Sequence, residues 1–104
     1  MPEITTVREE QARRIVVKGE VIDPPDGEQL YEAICSEVHE RAKFVKIDLS
    51  HVVLFGSGAI NALLHAYHDA KRLGCAVTVV DASPFVRKVL KITDLTELLG
   101  LDQG

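Results

Sequence analysis

The apolar residues of this chain change period in its middle, and the change marks the stretch around which the rest is arranged. Phe44, Val45 and Ile47 form a short β-prone run that closes on Asp48. Val52, Val53, Leu54 and Phe55 resume it and bring the chain to Gly56-Ser57-Gly58. From Ile60 the spacing turns helical: Ile60, Leu63, Leu64 and Tyr67 fall at i, i+3, i+4 and i+7 and predict one apolar face. Asn61, His65, His68 and Arg72 fall largely on the other side. Two residues without a Cβ on either side of Ser57 allow a sharp turn and a close backbone approach. The serine is thereby presented near a helix N-terminus, where free N–H groups and the helix dipole favour negative charge. A hydroxyl there is suited to capping the helix or to carrying a phosphate.

The flanking pattern completes an alternating order. Residues 3–8 and 13–21 read as two strands joined by Glu9-Glu10-Gln11-Ala12, a hairpin. Asp23-Pro24-Pro25-Asp26-Gly27 stops the second strand, and Asp26 or Gly27 is expected to cap a helix with Leu30, Ile34 and Val38 as its stripe, flanked by Tyr31 and Cys35. That helix should fade near Arg41. Gly74, preceded by Lys71 and Arg72, stops the central helix. Ala76 to Val80 is a continuous apolar run ending at Asp81, the signature of a buried parallel strand. Ser83-Pro84 then opens a helix with Phe85, Val86, Val89 and Leu90 as core positions. A short turn, Leu95 to Leu99, follows Thr93-Asp94. The order implies an α/β fold: a mixed sheet of four or five strands, mainly parallel with right-handed crossovers, preceded by an antiparallel hairpin.

Composition narrows the function classes. At 104 residues the chain is expected to be one domain, 1–104. Its 46% hydrophobic and 27% charged content is that of an ordinary folded protein. A formal charge of −4 disfavours a broad nucleic-acid or anionic-membrane surface. No apolar run approaches the roughly 20 residues that span a bilayer, and the first ten residues carry early acids and no secretory core. Two cysteines, Cys35 and Cys75, make no disulfide framework and point to a reduced, cytoplasmic setting.

Several chemistries fit the central loop and its neighbours poorly. Gly56-Ser57-Gly58-Ala59-Ile60-Asn61 approaches a dinucleotide fingerprint, with Asp81 ending the next strand, but the third glycine is missing. His65 and His68, at i and i+3 beside Asp69, lack a metal-binding pattern, and His39 and His51 are distant in sequence. A nucleophile elbow needs glycines two residues either side of the serine, where Phe55 and Ala59 stand. No enzyme activity, cofactor or metal is expected.

The whole pattern resembles the STAS domain of bacterial anti-sigma-factor antagonists. Ile47-Asp48-Leu49-Ser50 is similar to the end of the family's central strand, and Gly56-Ser57-Gly58-Ala59 falls on its Asp-Ser-Ser/Thr-Gly signature. Gly19-Glu20-Val21, Leu73-Gly74, the run Ser83 to Leu90 and Thr93-Asp94-Leu95 resemble the family as well. The resemblance implies a STAS-like fold and a protein-binding switch in which Ser57 is the phosphorylated residue. Gly56, Ser57, Gly58 and Asn61 would meet the partner.

That partner, by resemblance, is an anti-sigma factor that also serves as serine kinase, with a serine phosphatase restoring the unmodified form. The protein is expected to be a cytoplasmic monomer or weak dimer that neither binds nucleic acid directly nor inserts into membranes. Gly56 stands where the family has an acid, Gly58 replaces its second hydroxyl residue and Ala59 its glycine. The alternative is therefore an unphosphorylated STAS docking module, or a small subunit of a larger signalling or transport complex.

Overall fold

The computed structural model describes residues 2–101. Its elements run β1 (Glu3–Arg8), β2 (Ala12–Val21), α1 (Pro24–His39), β3 (Phe44–Phe55), α2 (Ser57–Arg72), β4 (Ala76–Ala82) and α3 (Pro84–Ile92). The four strands form one mixed sheet in the order β1-β2-β3-β4. β1 pairs antiparallel with β2, with Ile4 opposite Val17 and Thr6 opposite Ile15, while the two remaining pairings are parallel. The anticipated hairpin and alternating helices are both present, and the sheet has four strands.

Both crossovers step in the same direction along the sheet, so right-handed connections place α1 and α2 on one face. Strand alternation supplies the core beneath them. Ile15 and Val17 of β2, Val45, Ile47 and Leu49 of β3, and Val77 and Val79 of β4 are buried. Leu30, Ile34 and Val38 close the core from α1, as their spacing predicts. Arg13, at the start of β2, reaches Glu37 of α1 at 3.0 Å, and both side chains are largely buried.

The structure refines or corrects the expected elements at several points. First, α1 begins at Pro24 with Asp23 as its N-cap, earlier than Asp26 or Gly27. The two prolines are compatible with a first turn, whose N–H groups have no helical partner. Asp26 and Gly27 lie buried inside that turn, and the Asp26 carboxylate accepts the Ile22 and Asp23 N–H groups at 3.3 and 3.4 Å. The helix ends at His39, and Arg41 takes a left-handed φ of 66° just beyond it.

Second, the two apolar runs of the centre are one continuous 12-residue strand. Between the two runs the Asp48 carboxylate accepts both the N–H and the hydroxyl of Ser50, at 2.9 and 2.6 Å. The strand absorbs this local bonding through register shifts against both neighbours.

Third, the buried face of α2 is made of Ala59, Ala62, Leu63, Ala66 and Ala70, while Ile60, Leu64 and Tyr67 lie half-buried on its flank. Methyl-sized side chains let α1 and α2 approach closely. Large apolar residues would hold them apart.

Fourth, β4 is an edge strand. Val77 and Val79 are buried, but Ala76, Val80 and Asp81 are exposed. The chain returns over its free side, where the Val79 N–H donates to the Leu99 carbonyl at 2.9 Å and Leu99 and Leu101 join the core. In α3 the Ser83 hydroxyl caps the helix by accepting the Val86 N–H at 3.3 Å, as Ser83-Pro84 predicts. Val86 and Leu90 are buried and Val89 partly so, but Phe85 is 42% exposed and is not a core residue.

Candidate functional site

The carboxyl ends of β2, β3 and β4 meet at one end of the sheet, the end at which open α/β folds place their ligands. The Gly56 N–H donates to the Val21 carbonyl at 2.8 Å, tying the exit of β3 to that of β2. Ser83 ties in the third strand: its N–H donates to the Leu49 carbonyl at 3.1 Å and its hydroxyl to the Val52 carbonyl at 2.6 Å. α2 rises from this junction.

Ser57 is the first residue of α2 and is exposed, and its hydroxyl makes no hydrogen bond among the described residues. It is not the helix cap. Gly56 holds that position, with an extended backbone (φ −92°, ψ −176°) and no side chain to offer. The two flanking glycines are less demanding than their sequence suggests. A Cβ at Gly56 or Gly58 would meet the Ile22 backbone at 3.4 Å, an ordinary contact, and neither residue has a left-handed φ.

Gly56, Ser57, Gly58 and Asn61 are brought together at the start of α2. Ser57 and Asn61 are exposed one turn apart, on the same side of the helix. Gly58 and Asn61 also line a shallow groove between α1 and α2, with Pro24, Glu28, Tyr31 and His65. Farther along it the Tyr31 hydroxyl donates to the Asp69 carboxylate, which also takes Arg72 at 2.8 Å. The Tyr31 hydroxyl, followed by Arg72, holds Asp69 below the usual carboxylate range, and the same bond pushes Tyr31 up. Burial pushes the thiols of Cys35 and Cys75 up, which makes both poor nucleophiles.

Sequence reasoning missed the apolar rim of this site. Ile22, Val53 and Leu54 are all exposed, Val53 by 59%, at or next to the carboxyl ends of β2 and β3. The signal available in the sequence was a strand whose apolar run, Val52 to Phe55, has no polar alternation as it enters a loop. His65 and His68 are exposed on α2, and no group of three or more potential metal ligands is clustered among the described residues. No helix among them is long and apolar enough to cross a membrane.

These features define a small mixed α/β domain with a free serine hydroxyl at the start of its second helix and exposed apolar residues at the same end of its sheet. The chain belongs to the STAS domain family: the family model described as "Mlab, STAS domain" matches residues 4–100. Solved structures share the fold. An anti-sigma factor antagonist from Mycobacterium paratuberculosis superposes with a TM-score of 0.82 at 24% identity, covering 95% of this chain and 83% of that one. The unphosphorylated anti-sigma factor antagonist SpoIIAA gives 0.78 at 16% identity over 91% of this chain and 84% of its own. The phosphorylated form of SpoIIAA, a Bacillus cell fate determinant, gives 0.71 at 16% identity, with 91% and 86% covered. No curated protein matches the chain significantly in sequence.

Proposed function

We propose that this protein is an anti-sigma-factor antagonist, a protein-binding switch set by phosphorylation of Ser57. The observation that carries the reading is the exposed, unbonded Ser57 hydroxyl at the end of the sheet where Ile22, Val53 and Leu54 are also exposed. An apolar rim of this kind favours a protein partner that removes it from water. Phosphorylation adds about −1.5 to −2 charge and three acceptor oxygens in the middle of that contact. The start of α2 tolerates the charge, because its N–H groups and dipole face it. A docked partner does not, because the dianion must be dehydrated to be covered.

In this reading the protein turns over no substrate and works in the cytoplasm. Its partner is an anti-sigma factor that doubles as the serine kinase, opposed by a phosphatase. The second reading, a constitutive STAS docking module or small subunit of a transport complex, is favoured by Gly56, which leaves Ser57 without an adjacent acid to orient it or to help hold a kinase's metal and nucleotide.

Phosphopeptide mass spectrometry on protein from its own cells, followed by calorimetry with the partner captured by the unmodified form, separates the two. The switch requires phosphate on Ser57 and binding at least about tenfold weaker once it is there. Equal affinity in both states leaves the docking module standing.

A further inference from the structure

We infer that the exposed face of α3 is a second contact surface, built for an acidic amphipathic helix of a partner protein. Phe85, Lys88, Lys91 and Ile92 are all exposed, Ile92 by 73%. At 100° per residue they fall within one stripe of the helix, opposite the buried Val86 and Leu90. From Phe85 to Ile92 the stripe rises about 10 Å, two turns of helix. It therefore presents two apolar side chains at its ends and two ammonium groups along one border.

The charge of this face is the reverse of the chain's. The protein carries 16 acidic and 12 basic side chains, yet α3 holds Arg87, Lys88 and Lys91 and no acid. Arg87 is engaged inside the fold, donating to the Ala82 carbonyl and to Asp81, each at 2.9 Å. Lys88 and Lys91 make no ion pair among the described residues. Lys91 in the last turn suits the helix dipole by itself. Nothing within the fold accounts for Phe85 and Ile92 standing in water beside the two lysines.

Charge complementarity selects the occupant. A segment bearing carboxylates beside an apolar ridge satisfies both the lysines and the two hydrophobic side chains. An anionic membrane or a nucleic acid would meet two free lysines backed by a molecule of net charge −4, a poor electrostatic footprint. The stripe lies on α3, on a different helix from Ser57 and away in sequence from Ile22, Val53 and Leu54, so it adds a surface to the domain rather than restating the one at the start of α2.

The test is an amide chemical-shift titration of the labelled protein with a helical peptide of about 16 residues, leucines at i, i+3, i+4 and i+7 and glutamates elsewhere. The same peptide with lysines in place of glutamates, and vesicles of phosphatidylglycerol, serve as the opposing probes. Expected are shifts confined to α3 with the glutamate peptide, reduced by added salt. Lys88→Glu with Lys91→Glu should weaken binding about tenfold or more, and Phe85→Ser should weaken it independently of charge. All three positions are exposed, and a thermal melt confirms that each variant folds. No binding of the glutamate peptide, equal binding of the lysine peptide, shifts elsewhere in the molecule, or vesicle binding through α3 in place of the peptide would each overturn the inference.

Discussion

Gly27 of α1 lies so close to Gly58 of α2 that a Cβ added to it would stand 2.8 Å from the Gly58 carbonyl oxygen and 3.2 Å from its carbon. The contact is backbone on backbone, with no side chain free to move aside. This glycine, and neither of the two beside Ser57, is the one the site requires.

Gly27→Ala should therefore cost about 1–3 kcal/mol by overpacking and disturb the start of α2. Gly58→Ala, whose Cβ would meet the Ile22 carbonyl at 3.4 Å, should stay within about 1 kcal/mol of the parent, since alanine is the better helix former. Denaturant midpoints of the two variants check the order.

Leu63→Ala should destabilise by about 2–5 kcal/mol, because Leu63 is fully buried under the helix pair. Leu64, half-buried on the flank, should cost clearly less, and exposed His68→Ala within about 0.5 kcal/mol. Equal losses at Leu63 and Leu64 would contradict the alanine-lined face.

The Tyr31–Asp69 bond sets a pH window. Asp69 is lowered by the Tyr31 hydroxyl first, so its contribution to stability is full above about pH 4 and is lost as pH falls through the lowered folded value. Tyr31 is raised by Asp69, so its contribution is full below about pH 10 and fades as pH climbs from there. Tyr31→Phe should thus lower the melting temperature at neutral pH, with the difference shrinking at both extremes. A deficit that stayed constant across that range would assign the effect to packing.

Gly56→Asp should fold normally, since the extended backbone at this position accepts any residue and its Cβ finds ordinary contacts. If a missing acid limits modification of Ser57, the variant should be phosphorylated faster by the partner kinase while melting within a degree or two of the parent. An unchanged rate would show that the glycine at position 56 does not limit modification of Ser57.

The order of elements could be read from periodicity because strands and helices here keep their periods, and the serine's place at a helix start followed from the change between them. What escaped was decided by partners distant in sequence. On α2 the spacing found Leu63 but placed Leu64 on the buried face and missed the alanines, because the helix crossing at Gly27 favours small side chains there. Phe85 sits at a helical core spacing, yet α3 turns it outward while burying Val86 and Leu90 as their spacing predicts. Pro24 and Pro25 look like loop, and only the buried Asp26 carboxylate reveals that they belong to the helix. The apolar rim could not be separated from core by hydropathy, because exposure is a property of the sheet's end and not of Val53 or Leu54 themselves.

The hydrogen bond from Val79 to Leu99 has a consequence for how the molecule survives in a crowded cell. An uncovered parallel edge is a template on which another chain can grow a strand, and β4 would offer one lined with valines. The returning segment occupies that template and anchors itself by burying Leu99 and Leu101. A protease cut in the turn at 93–95 would release it, baring both the strand and the hydrophobic bed beneath. The returning segment thus shields the β4 edge of the sheet from pairing with another chain.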